Sequence, residues 1–136
     1  MLTRELAVTL RDAGLAWDPA NGDRFVVPDR DLDDQVFVLS DMVIELLDAP
    51  GGDQVLAFNG TTEWALDSLE ASDAIWVPRE DQLRDLLGEA FVSLERLAGP
   101  PAGYAVTVRG PGGPERHVDV DVECAYGRAL VSVQRG

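Results

Sequence analysis

The chain has 136 residues, 46% of them hydrophobic, which suits one domain with a real core, since chains near this length bury roughly 70% of their unfolded surface. Eleven basic residues, every one of them Arg, stand against twenty-five acidic ones for a net charge of −14, and this charge repels phosphate backbones and anionic lipid, arguing against nucleic-acid and membrane-surface partners. The one Cys, Cys124, and the one His, His117, leave no internal disulfide, cysteine-based zinc site or His cluster.

With Thr3 as a cap and Leu6, Ala7, Leu10 and Ala13 on one face, the opening segment predicts an amphipathic helix over about residues 3–13. Gly14 is suited to stopping it. A polar turn through Asp18, Pro19, Asn21 and Gly22 leads to a short strand, Phe25-Val26-Val27, ended by Pro28. Val36 to Leu39 and Met42 to Leu47 read as further strands. Pro50-Gly51-Gly52-Asp53 predicts a hairpin from the second of these onto Gln54 to Phe58.

Thr61 or Thr62 can cap a short helix carrying Trp64, Ala65, Leu66 and Leu69, and Ala74 to Val77 is a short buried segment. Leu83, Leu86, Leu87, Ala90, Phe91, Leu94 and Leu97 then recur at three- and four-residue spacing, predicting one core-packing helix over about 79–97. Pro78 suits its first turn. After Gly99-Pro100-Pro101, Tyr104 to Val108 and Arg116 to Val122 form a hairpin around residues 110–114, and Val122, Tyr126, Ala129, Leu130 and Val133 mark a terminal helix. The predicted order, α-β-β-β-α-β-α-β-β-α, lacks regular βαβ alternation and implies the α+β class, with a mostly antiparallel sheet covered by helices. A single domain over residues 1–136 is expected, with 99–102 as the place for any subdomain division. No signal peptide opens the chain and no apolar run approaches the ~20 residues of a membrane span, so a cytoplasmic location is expected.

Eleven of the fourteen net negative charges fall between residues 28 and 73. Charge at this density either solubilises a face or meets a basic partner. Within it, Asp29, Asp31, Asp33 and Asp34 invite a calcium-loop reading that fails in detail: with Asp29 first, the sixth position holds Asp34 in place of Gly and the twelfth Ser40 in place of Glu. A looser divalent site in this loop is the remaining metal reading, but no metal or cofactor is assigned. Asp41 with Glu45, and Glu63 with Asp67, have spacings compatible with carboxylate pairs, although nothing in the sequence brings either pair together for acid and base work.

Ser40 lacks a nucleophile elbow, Cys124 reads as a buried small residue, and Gly110-Pro111-Gly112-Gly113 lacks the ending of a phosphate loop. No catalytic residue is assigned. Asn59, Thr61 and Trp64, in a tight turn ahead of the expected helix, join Asp29, Asp31, Asp33, Asp34 and Asp41 as candidate partner- or ligand-binding residues.

Residues Val27 to Val43, Phe58 to Ser68 and Pro78 to Arg84, with a weaker block at Tyr126 to Leu130, resemble a family of short bacterial proteins from Gram-positive organisms that carry the label pilus assembly protein. The chain has no phosphate loop of the kind found in the much larger ATPase that shares this label. The resemblance implies a small cytoplasmic protein and transfers no catalytic residue. The leading expectation is a non-enzymatic interaction module that docks an unidentified basic protein through residues 28–73. The alternatives are a small-ligand or divalent-metal-dependent binding protein or enzyme, using the 29–34 loop and the 59–64 turn, and an antitoxin or immunity protein that mimics phosphate charge. Homo-oligomerisation stays open.

Overall fold

The structure, a computed structural model, describes residues 1–27, 36–39, 45–48, 54–57, 68–70 and 74–136. The chain divides into two compact units, one formed by residues 1–16 together with 77–136 and the other by residues 17–76. Helices and antiparallel three-stranded sheets together give the α+β class expected from the sequence. The division does not fall at Gly99-Pro100-Pro101, which instead joins two paired strands inside the first unit.

The first unit begins with helix α1 (Arg4–Asp12). Thr3 caps it as its residue type suggests, its Oγ1 accepting the Leu6 amide at 3.2 Å. Ala7 and Leu10 are the buried positions of its apolar face. Helix α2 spans Glu80–Leu87, and a single 3-10 turn leads from it to strand β7 (Phe91–Leu97). Strands β8 (Gly103–Gly110) and β9 (Gly113–Asp119) complete an antiparallel meander in the order β7-β8-β9. The terminal helix α3 (Val122–Arg135) packs on β8 and β9 and also touches α1 and α2.

Register and side-chain contacts identify the face of this sheet that α3 covers. Val106 and Val108 of β8, both fully buried, lie opposite His117 and Glu115 of β9, and directly paired residues share a face. On that face the Ser132 hydroxyl of α3 donates to Glu115 Oε2 at 2.7 Å, and Arg128 Nε donates to Asp119 Oδ2 at 2.8 Å. Ala125, Tyr126, Ala129 and Leu130 supply the apolar side of the helix. Tyr126, with no exposed surface, stacks on Phe91 with ring centroids 5.9 Å apart.

The helix expected over 79–97 is shorter than its apolar spacing suggests. It stops at Leu87 because Gly88 takes a positive φ of 54°, a conformation that costs Gly little and other residues much. Phe91-Val92-Ser93-Leu94, rich in strand-forming residues, then pairs with β8. The apolar residues at three- and four-residue spacing therefore serve two elements. Leu83 and Leu87 are core at 0% and 4% exposure, whereas Leu86 and Leu94 are exposed at 38% and 37%. Pro78 precedes the N-cap Arg79 and lies outside the first turn, where Arg79 N donates to Gln82 Oε1 at 2.9 Å.

In the second unit, β1 (Arg24–Val26) is the centre of a sheet ordered β2-β1-β6, with β2 at Val36–Val38 and β6 at Ile75–Trp76. Its core joins Phe25, Val27, Leu39 and Ala74 to the partly buried rings of Trp17 and Phe37. Trp17 and Phe37 flank Phe25 at centroid distances of 5.6 and 5.4 Å. Another sheet, β3 (Glu45–Asp48), β4 (Gln54–Ala57) and β5 (Ser68–Glu70), contains the predicted hairpin, with Asp48 opposite Gln54. Leu69, expected at the end of a short helix, lies in β5 and pairs with Leu56.

Replacing Leu83 or Leu87 with Ala should cost about 2–5 kcal/mol, as cavity-forming core truncations do. Leu86→Ala, on the exposed face of the same helix, should change stability by about 0.5 kcal/mol or less. Urea unfolding of the three variants measures both.

Candidate functional site

Division into units separates the charge. The unit formed by residues 17–76 contains two Arg against fourteen acidic residues, a net −12, whereas residues 1–16 and 77–136 contain nine Arg against eleven acidic residues, a net −2. In the acidic unit the side chain of Asp23 is held by several hydrogen bonds. It is 3% exposed, and its Oδ2 accepts the Trp17 indole N–H at 2.9 Å and the Ala20 amide at 3.0 Å. Its backbone carbonyl accepts the Leu39 amide at 2.9 Å, while the Leu39 carbonyl accepts the Gly22 amide at 2.8 Å. One buried Asp thereby ties the turn, the Trp17 ring and the strand end together, satisfying donors that would be costly to leave unpaired in an apolar setting. The sequence reading treats this stretch as a polar turn and misses Asp23, for which the indole N–H of the partly buried Trp17, in need of an acceptor, is the available signal.

Asp29, Asp31, Asp33, Asp34, Asp41, Asn59, Thr61 and Trp64 lie outside the described residues. The acidic loop and the turn they belong to thus enter through sequence and charge alone. Among the described residues no group of three or more His, Cys, Asp or Glu side chains is arranged to hold a metal ion, and no helix is long and apolar enough to cross a membrane.

In the other unit a cavity of about 400 Å³ opens between α1 and the start of α3, lined by Thr3, Leu6, Thr9, Val120, Cys124 and the charged residues around them. Asp119 and Asp121, two of its acidic members, are already engaged. Asp121 caps α3, its Oδ1 accepting the Glu123 and Cys124 amides at 2.9 and 3.1 Å, and its Oδ2 accepts the Met1 ammonium at 2.8 Å. Asp119 Oδ1 accepts the Asp121 amide at 3.0 Å, in addition to the Arg128 contact at its other oxygen. Glu123 reaches across to α2, where its Oε2 accepts the Glu80 amide at 2.8 Å. These carboxylates answer the unpaired amides of two helix starts.

Burial works to raise the Asp121 carboxyl, but the Met1 ammonium and the two helix amides outweigh it and hold the group below the ordinary carboxylate value. Burial pushes the Cys124 thiol up, with the Thr3 backbone contact opposing and the Asp121 and Asp119 charges adding to the rise. A thiol so disposed is a poor nucleophile at neutral pH. Ser132 gives its hydroxyl hydrogen to Glu115, not to an imidazole, while His117 Nε2 stands 3.6 Å from the same Glu115 oxygen. The arrangement places the carboxylate between hydroxyl and imidazole, the reverse of what serine activation needs.

No protein family, curated protein or solved structure matches the chain.

A group whose folded-state proton affinity is depressed stabilises the fold above its unfolded value, and that contribution disappears as pH falls through the folded value. For Asp121 the loss begins as pH drops below about 3.8, the ordinary value of the group. Asp121→Asn should therefore show a smaller fall in melting temperature than the parent between pH 5 and pH 2. Parallel thermal melts across that range measure the difference.

Proposed function

We propose that the protein is a non-enzymatic interaction module whose acidic unit, residues 17–76, docks a basic partner, with residues 28–73 supplying most of the contact. The observation carrying this reading is the partition of charge, −12 in one compact unit and −2 in the other. If solubility were the sole demand on the charge, acidic residues distributed over both units would meet it equally well. Concentration in one unit raises its self-repulsion, which a basic partner relieves while the same field accelerates encounter. The polar contacts described at the other unit are structural, serving helix starts and the attachment of α3 to the sheet. The sequence resemblance to the small proteins labelled pilus assembly protein fits this reading in size and adds no chemistry to it.

Charge reversal at two places separates a local docking surface from a general effect of net charge. Asp31→Arg with Asp33→Arg alters the acidic unit, and Asp85→Arg with Glu89→Arg makes the same change in charge at exposed positions of the near-neutral unit. In capture experiments from lysate of the source cells, the first pair should lose a basic polypeptide that the parent and the second pair retain, because like charges across an interface cost several kcal/mol. Equal capture by all three proteins, or equal loss by both pairs, would contradict the proposal.

A further inference from the structure

His117 is the one His of the chain, and a His is the side chain whose ordinary titration range lies between about pH 5 and pH 8. The fold places it where α3 is attached to the sheet. Glu115, His117 and Asp119 alternate onto the covered face of β9. The two carboxylates are tied to α3, Glu115 by the Ser132 hydroxyl at 2.7 Å and Asp119 by the Arg128 guanidinium at 2.8 Å. His117 stands between these ties and makes none of its own. Its Nε2 is buried and, among the described residues, has no hydrogen-bond partner.

Glu115 Oε2, the oxygen that Ser132 reaches, is 3.6 Å from Nε2, too far for a hydrogen bond. In the neutral imidazole a buried polar atom is thereby left unsatisfied, which costs free energy. The imidazolium is a donor at both nitrogens, and its hydrogen bond to a carboxylate is shorter and stronger than one between neutral groups. A proton gained by His117 therefore converts an unmade contact into an ion pair.

The surrounding charge favours that proton. β9 packs chiefly against β8 and α3. β8 sets the apolar Val106 opposite His117, with Tyr104 and Val108 on the same face. β9 itself contributes Glu115 and Asp119, and α3 contributes Arg128, with Arg135 exposed beyond Ser132. At the attachment two carboxylates thus face one guanidinium, a net charge of −1 that an imidazolium cancels. Arg96 is on this face too, but it is exposed and two strands away, at about 10 Å, where salt screens its charge.

We propose that Glu115, His117 and Ser132 form a proton-operated clasp, in which protonation of His117 at mildly acidic pH draws Nε2 onto Glu115 and tightens α3 against β9. Ser132 keeps its bond to the same carboxylate, so the cation adds a tie without breaking one. An imidazolium that is paired in the folded chain and solvated in the unfolded chain stabilises the fold below the ordinary histidine range, and the contribution is lost as pH rises through that range. Because α1, α2 and β8 all lie against α3, the whole near-neutral unit shares the gain.

Thermal melts of the full chain test the clasp, followed by circular dichroism at the helical band, since α1, α2 and α3 all belong to the near-neutral unit. The crowded carboxylates of residues 28–73 respond to acidification in every variant alike, so the difference between proteins is the readout. Between about pH 7.5 and about pH 5.5 the parent should gain a few degrees more in melting temperature than His117→Gln or Glu115→Gln. Glu115→Gln keeps an oxygen for Ser132 and removes only the charge, so it decides the matter even where His117→Gln fails to fold. Asp85→Asn, an exposed charge of α2 in the same unit, should respond as the parent does. At the lower pH the Nε2 hydrogen of the parent should exchange slowly enough to be seen by NMR. Equal gains in the parent and Glu115→Gln, or an Nε2 hydrogen lost to rapid solvent exchange, would overturn the proposal.

Discussion

The near-neutral unit depends on the burial of one side of helix α3. Ala125, Tyr126, Ala129 and Leu130 are at most 3% exposed, and the strand beneath them contributes the fully buried Val106 and Val108. Burying a side chain of leucine size stabilises by roughly 1.5–3 kcal/mol relative to exposure. Every other element of the unit joins through this helix or through the sheet it covers: α1, α2, β8 and β9 all touch α3, and β7 attaches through β8. Gly127 permits the close approach of α1, since a Cβ there would stand 2.6 Å from a Leu2 methyl and 2.8 Å from a Leu6 methyl. Because α1 is held by α3 far along the chain, residues 17–76 can form a separate compact unit between α1 and α2 without interrupting this core.

That arrangement gives physical meaning to the uneven charge. A dense group of carboxylates destabilises whatever compact body contains it, and here the repulsion falls on a unit with its own apolar cluster around Phe25 and its own buried hydrogen-bond centre at Asp23. The remaining unit, with nine Arg against eleven acids, uses its charged side chains locally, in the Asp121 cap, the Glu123 contact with α2 and the Arg128–Asp119 pair.

Hydrophobic patterning made much of this legible in the sequence. The Thr3 cap, the hairpin of β8 and β9 and the terminal helix follow from local rules, because each is decided by residues within a few positions of one another. The segment 83–97 was misleading for a physical reason: leucines at three- and four-residue spacing fit both a single helix and a helix broken into a strand, and only the positive φ of Gly88 decides between them. The division into two units depends on α1 meeting α3 across more than a hundred residues, which no local pattern encodes. Asp23 was hidden in turn-like composition, since its role is set by the burial of Trp17. The charge asymmetry over 28–73 was visible at once, and its confinement to one unit required the fold.

The central claim, that the acidic unit is the docking element, is tested most directly by mapping backbone amide shifts by NMR while an Arg-rich peptide is added to the full chain at physiological salt. The account predicts saturable shifts confined to residues 17–76, with the amides of α3 and β8 unchanged. Shifts spread evenly over both units, or centred on the start of α3, would contradict it.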